Sequence, residues 1–150
     1  MDFALTDDQE LIRSAVAKVC SDYPDEYWAE KDQSHEFPWD FYHAMANAGW
    51  IGTAIPEAYG GSGMGITEAS LVLEEVAASG AAMNGATPLH LSMFGMEPVV
   101  KYGSEEMKQA YLPAVAAGEL HVAFGVTEPD AGTDTTSITT AARREGCTRS

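Results

Sequence analysis

The chain has 150 residues, with 23 acidic against 8 basic side chains and a formal net charge of −15. It is 45% hydrophobic and 21% charged, which excludes wholesale disorder and leaves enough apolar material for a sizeable core. No Lys or Arg occurs between residues 33 and 100, and only Arg143, Arg144 and Arg149 near the end form a basic cluster, so neither nucleic acid nor an anionic membrane surface is an expected partner.

Residues 1–10 are acidic. They have neither the basic start and apolar run of a secretory signal nor the Arg-rich character of a mitochondrial transit peptide. No stretch reaches the ~18 uninterrupted apolar residues of a membrane-spanning helix. Cys20 and Cys147 are two isolated thiols, neither a disulfide framework nor a metal-ligand spacing. These features predict a cytoplasmic protein in a reducing compartment.

The first two-thirds read as short helices with clear stops. Thr6 caps the first, with Gln9 completing a capping box, and Leu11, Ile12, Ala15, Val16 and Val19 follow as one apolar stripe up to a break at Pro24. A second helix is expected to begin with Pro38, to present Phe41, Met45 and Ala48, and to stop at Gly49. Residues 50–65 read as loop, because Gly60, Gly61, Gly63 and Gly65 are too dense for a helix. A third helix starts at Thr67, carries Leu71, Leu73, Val76 and Ala77, and ends before Gly80. A fourth is expected near residues 88–102, with Leu89, Met93, Met96 and Val100 toward the core and Pro98 kinking it or shifting its start. Ser104 caps a fifth, Glu105 and Glu106 suit its positive N-terminal end, and Gly118 closes the run.

After Gly118 the period changes. Val122, Phe124 and Val126 alternate with His121, Ala123, Gly125 and Thr127, which predicts a strand. A polar turn follows, then a β-prone Thr-rich run over residues 135–140. The reading is therefore a mostly α chain: an N-terminal helical bundle domain over residues 1–119, then the first strands of an incomplete β-barrel domain over residues 120–150.

The chemically informative stretch is GVTEPDAGTDTTS at residues 125–137. On residues alone it is a strand entering a loop with two Thr hydroxyls, a glycine and free backbone N–H groups. Such a loop can cradle an anionic or carbonyl-rich ligand, with Gly132 admitting close approach to the backbone, or can be merely a solvated turn. The stretch resembles the first signature of the FAD-dependent acyl-CoA dehydrogenases. All nine constrained positions agree: Gly125, Val126, Thr127, Glu128, Ala131, Gly132, Thr133, Asp134 and Ser137. With average residue usage such a match arises by chance on the order of 10⁻⁸ per starting point. LTDDQEL at residues 5–11, PEAYGGSG at 56–63, Glu74 with Glu75, and YGSEEMK at 102–108 leading to YLP at 111–113 are also similar to that family.

The resemblance implies an activity and a set of roles. The family desaturates acyl-CoA thioesters: a base takes a proton α to the thioester carbonyl while the β hydrogen leaves as hydride to the flavin. Phe124, Val126 and Thr127 would face the flavin, the last two at its pyrimidine edge. Gly132 and Thr133 would belong to the FAD site, with Thr133 near the pyrophosphate and the pantetheine arm of an acyl-CoA. Phe124 is a mild departure, since members often carry Tyr there, and Asp130 replaces a common small residue at a free position. No catalytic residue is assigned: the family's base is a glutamate of a later helical domain, expected beyond Ser150, and Glu128 does not match it. Partners implied are an acyl-CoA substrate, an electron-transfer flavoprotein or similar acceptor, and further copies of the chain in a homo-oligomer. Where the family continues with a turn, a strand and a Gly-x-Lys-x-Trp segment, this sequence has CTRS at 147–150, so a truncated or frame-shifted product or a deliberately short fragment, inactive alone, is expected.

Other sites are not expected. His35, His43, His90 and His121 form no metal spacing, and no metal is predicted. The glycines at 60–65 contain neither a dinucleotide fingerprint nor a phosphate-loop Lys and more simply shape a loop over a substrate entrance or between helices. Met83, Met93, Met96 and Met107 suit an adaptable core or the wall of an acyl pocket. Glu74 and Glu75 are adjacent, so they diverge on a helix and are not a catalytic pair. Alternatives to the dehydrogenase reading are a non-catalytic helical interaction fragment, or a related acyl-CoA oxidase or flavin monooxygenase on the same scaffold.

Overall fold

Seven α-helices occur among the described residues of the computed structural model, which covers residues 4–143. Arg144, Cys147 and Arg149 lie outside them. Helix α1 (Asp7–Cys20) opens with the expected capping box: Gln9 N–H donates to Thr6 Oγ1 at 3.2 Å, and Thr6 N–H donates to Gln9 Oε1 at 3.1 Å. Ile12, Val16 and Cys20 are buried, whereas Leu11 is 68% exposed, so the buried stripe is narrower than the apolar one.

Helix α2 (Asp25–Ser34) fills a stretch where no helix was expected. Its residues are polar except around Trp28, its one buried side chain, so no 3.6-residue apolar repeat marks it. Trp28 is its anchor. The ring meets Phe41 edge-on at 4.9 Å, and the indole N–H donates to the Tyr23 carbonyl at 3.0 Å. Helix α3 (Trp39–Asn47) starts one residue later than expected, with Pro38 as its N-cap, buries Phe41, Tyr42, Met45 and Ala46 while the expected Ala48 is exposed, and stops at Gly49 with φ 83°.

Residues 50–65 form a loop folded on itself, with a single 3₁₀ turn at Glu57–Tyr59. Ser62 N–H reaches the Gly52 carbonyl at 3.0 Å, Gly63 N–H that of Ile55 at 2.8 Å, and Met64 N–H that of Thr53 at 2.9 Å. Gly61 is obligatory for this closure: a Cβ there would stand 2.0 Å from the Ile55 carbonyl oxygen. The glycine-rich stretch thus shapes a link between helices, with Ile51, Thr53 and Ile55 buried.

Helix α4 (Ile66–Val76) packs along α1. Glu68 ties their starts together by accepting from Gly65 N–H and from the Gln9 amide, both at 3.0 Å, and the Gln9 bond leads the causes that lower its pKa. Glu75 accepts from Arg13 at 3.1 Å, while Glu74 is exposed, so the two glutamates do diverge. A π-helical turn, Ala77–Ala81, with Gly80 at φ 100°, leads into α5 (Ala82–Gly95). The break expected from Pro98 falls at Met96, and α6 (Glu97–Tyr102) begins with that proline in its first turn. Ser104 caps α7 (Glu105–Ala116), its Oγ accepting from Met107 N–H at 3.2 Å. The core runs through all the long helices: Val16, Phe41, Met45, Val72, Leu89 and Leu112 are buried together.

At Gly118 (φ 73°) the chain leaves the bundle. The expected strand at residues 122–126 forms no ladder: the stretch has no regular secondary structure, and the one β-bridge among the described residues pairs Glu128 with Ala131. A strand's N–H and C=O groups need a neighbouring strand, and the described residues provide none.

Candidate functional site

The segment after Gly118 lies over α3 and α5. The His121 ring sits 4.9 Å from Phe37, 5.1 Å from Tyr42 and 5.9 Å from Trp39, centroid to centroid. Beneath it, Tyr42 Oη and Ser92 Oγ share a buried hydrogen bond of 3.1 Å, and burial raises the Tyr42 pKa. Val122 packs against the core over Gly95. Phe124, 61% exposed, borders a small cleft with His90, Leu91, Phe94 and Gly95.

The signature then turns back on itself. Glu128 N–H donates to the Ala131 carbonyl at 3.0 Å and Ala131 N–H to that of Glu128 at 3.2 Å, with Ala131 buried. This reciprocal pair brings Thr127 and Gly132 to the same end of a tight turn. The Glu128 carboxylate reaches further along the chain. It accepts from Thr139 N–H at 2.9 Å and Thr140 N–H at 2.8 Å, which hold its pKa down to about 2. Asp134 accepts from Thr136 N–H at 3.2 Å and Ser137 Oγ at 2.6 Å, and these bonds, the hydroxyl one first, lower its pKa too. The two acidic residues of the signature are therefore braces of the loop. Neither is poised to take a proton at neutral pH.

The remaining signature positions are open. Val126 is half-buried, and Thr127, Gly132 and Thr133 are exposed. No hydrogen bond among the described residues engages the backbone N–H of Val126, Thr127, Gly132 or Thr133. A Cβ on Gly125 or Gly132 would meet nothing within 4 Å. The turn thus offers several unengaged backbone donors, most of them on exposed residues, which suits a group rich in acceptor oxygens.

A separate cavity of about 480 Å³ lies beside the N-terminal half of α5, between Phe37, Pro38, Met83 and Pro88, with the Lys31–Glu36 ion pair (3.1 Å) on its wall. The four methionines divide: Met93 and Met96 join the core, Met83 borders this cavity, and Met107 is exposed. No group of three or more His, Cys, Asp or Glu side chains suited to a metal ion occurs among the described residues. No helix among them is long and apolar enough to cross a membrane. The sequence reading missed the contacts of His121, Val122 and Gly95. The aromatic density over residues 37–43 was a signal, but nothing local links it to residue 121.

Comparison with known proteins adds what the segment alone does not carry. Residues 6–119 match the family model "Acyl-CoA dehydrogenase, N-terminal domain". An acyl-CoA dehydrogenase of Mycobacterium tuberculosis is 37% identical over 150 residues, covering 96% of this chain and 37% of that protein. Among solved structures, a glutaryl-coenzyme A dehydrogenase in complex with glutaryl-CoA superposes with a TM-score of 0.81 at 32% identity, over 93% of this chain and 36% of the other. A chain in the structure of the electron transferring flavoprotein of Acidaminococcus fermentans gives 0.82 at 34% identity, over 97% and 38%. The chain spans well under half the length of the relatives it matches. A stand-alone helical interaction module is not favoured by relatives of this kind. With its capped helices, its link loop and its signature turn in these places, the chain belongs to the acyl-CoA dehydrogenase family, and it carries that family's N-terminal helical domain.

Proposed function

We propose that this chain supplies the opening part of the flavin and thioester site of an FAD-dependent acyl-CoA dehydrogenase acting on an acyl-CoA. The observation that carries the reading is the turn at residues 125–137: all nine signature positions match, and the N–H groups of Val126, Thr127, Gly132 and Thr133 are unengaged. Those donors fit a cofactor whose pyrimidine edge and pyrophosphate present acceptor oxygens, and the open space before Gly132 lets it approach. Phe124, Val126 and Thr127 face the flavin in this reading, and Gly132 and Thr133 lie by the pyrophosphate, with Thr133 also by the pantetheine arm.

Bound FAD supplies the acceptor for the hydride that leaves the β carbon of the thioester. This chain's residues hold and orient. Val126 and Thr127 donate to the cofactor's edge, the half-exposed Phe124 ring shields one side, and Glu128 keeps the turn closed. Glu128 is not assigned as the base: it does not match the family's glutamate, and the N–H groups of Thr139 and Thr140 hold its pKa down to about 2. The reading includes a domain boundary between residues 119 and 120, a homo-oligomer, an acceptor of the electron-transfer flavoprotein kind and a cytoplasmic setting. It is tested on a form of the protein extended beyond Ser150. That form is expected to retain FAD and its yellow absorbance, and Thr133→Val is expected to weaken retention about tenfold through loss of one hydrogen bond to a charged group. An extended form that stays colourless after added FAD overturns the reading.

A further inference from the structure

We propose that the His121 ring and the bare backbone of Gly95 form a side-chain latch that positions the flavin-facing residues Phe124, Val126 and Thr127. The proposal depends on the preceding reading for what the latch serves, and not for its existence. Backbone–backbone bonds stop at Leu120, whose N–H reaches the Ala114 carbonyl at 3.1 Å, and resume only at Glu128. Across the seven residues between, no main-chain bond among the described residues fixes the path. The contacts that hold it to the bundle there are made by side chains.

Two contacts at the start of the segment are suited to it. His121 enters a corner built by Phe37, Trp39 and Tyr42 and meets each ring at an interplanar angle between 56° and 73°, close to the edge-to-face arrangement that aromatic pairs favour. The corner is itself firm: Tyr42 is fully buried and bonded to Ser92 on α5, and the Phe37 and Trp39 rings lie 4.3 Å apart. One residue on, Val122 drops into a notch in α5. A Cβ on Gly95 would stand 2.8 Å from Val122 Cγ1, closer than carbon atoms pack, so glycine is what admits the valine. A notch on α5 for one side chain and an aromatic corner at α3 for the previous one pin two successive residues to two different helices. Phe124 then falls beside His90, Leu91 and Phe94, and Val126 and Thr127 follow in register.

The latch makes an unusual prediction for Gly95→Ala. Gly95 is the last residue of α5 and is not among the positive-φ glycines, so the higher helix propensity of alanine is expected to offset the lost Val122 packing and the bundle to hold, while the added methyl displaces Val122 and loosens the segment. The test is ¹⁵N relaxation on the 150-residue chain, with a denaturation curve for each variant. Backbone order parameters for residues 122–127 are expected near about 0.85 in the parent chain and below about 0.6 in His121→Ala and in Gly95→Ala. His121→Phe, which keeps an aromatic ring in the corner, is expected to restore them, and the denaturation midpoint of Gly95→Ala is expected not to fall. Order parameters unchanged in both loosening variants, or already below about 0.6 in the parent, overturn the latch. So does a His121→Phe chain as mobile as His121→Ala. Because no FAD is present, failure of an extended form to bind flavin overturns the preceding reading and leaves the latch standing.

Discussion

The helical bundle and the segment that follows it are held together by different means. In the bundle, side chains from helices distant in sequence interdigitate: Val16 of α1, Phe41 of α3, Val72 of α4 and Leu89 of α5 are all fully buried. From residue 119 to 143, Ala131 is the one buried residue, and order comes from tight turns and carboxylates clasping nearby N–H and hydroxyl groups. The bundle completes itself. The segment engages Glu128 and Asp134 locally and leaves the N–H groups of Val126, Thr127, Gly132 and Thr133 without a hydrogen bond among the described residues.

Breaking the bundle is the largest effect available. Phe41→Ala removes a fully buried ring with edge-to-face neighbours in Tyr23 and Trp28, and is expected to cost about 3–5 kcal/mol in urea denaturation. Phe124→Ala, the same substitution in the exposed segment, is expected to change stability by no more than about 0.5 kcal/mol. Equal losses at the two positions would erase the distinction. Thr6→Ala removes the acceptor of the α1 capping box, and a loss of about 1 kcal/mol is expected by the same measurement.

The smallest effect sharpens the comparison from the segment's side. A free Glu has a pKa of about 4.3, and the N–H groups of Thr139 and Thr140 hold that of Glu128 down to about 2. A depressed carboxylate pKa contributes stability that is fully present above the ordinary value and is lost as pH falls through the depressed one. The amide shifts of Thr139 and Thr140 are therefore expected to titrate with a midpoint near 2, with the rest of the segment unaffected at neutral pH. A midpoint near 4 would mean that the clasp does not hold.

Those two modes of order explain what the sequence made legible. Local chemistry was readable: the Thr6 and Gln9 box, the stops at Gly49 and Gly118, the Ser104 cap and the break before Pro98 all stand where capping and turn rules put them. Helix α2 was hidden because a single tryptophan anchors it and a period cannot be read from one residue. The start of α5 was placed at Pro88, yet the helix begins at Ala82. Proline is tolerated there because the residue whose carbonyl loses its partner, Asn84, is exposed. At the proposed site, the signature marks residues 125–137, where the structure has a tight turn closed between Glu128 and Ala131. The supports did not show, because His121 and its aromatic corner lie some eighty positions apart. Alternation over residues 122–126 pointed to a strand, yet among the described residues the stretch pairs with nothing, because alternation reports a face and not a partner.

Gly118 has a consequence for synthesis. Its left-handed turn sits against Ala46 and Tyr42, so the exit of the chain is fixed by residues the ribosome has already released. At about 5–20 residues per second, a chain as long as its relatives takes on the order of ten seconds or more to finish after this point. During that interval a completed bundle displays Phe124 and an unfilled signature turn to the cell. The segment proposed to hold the flavin then waits with its Phe124 ring 61% exposed.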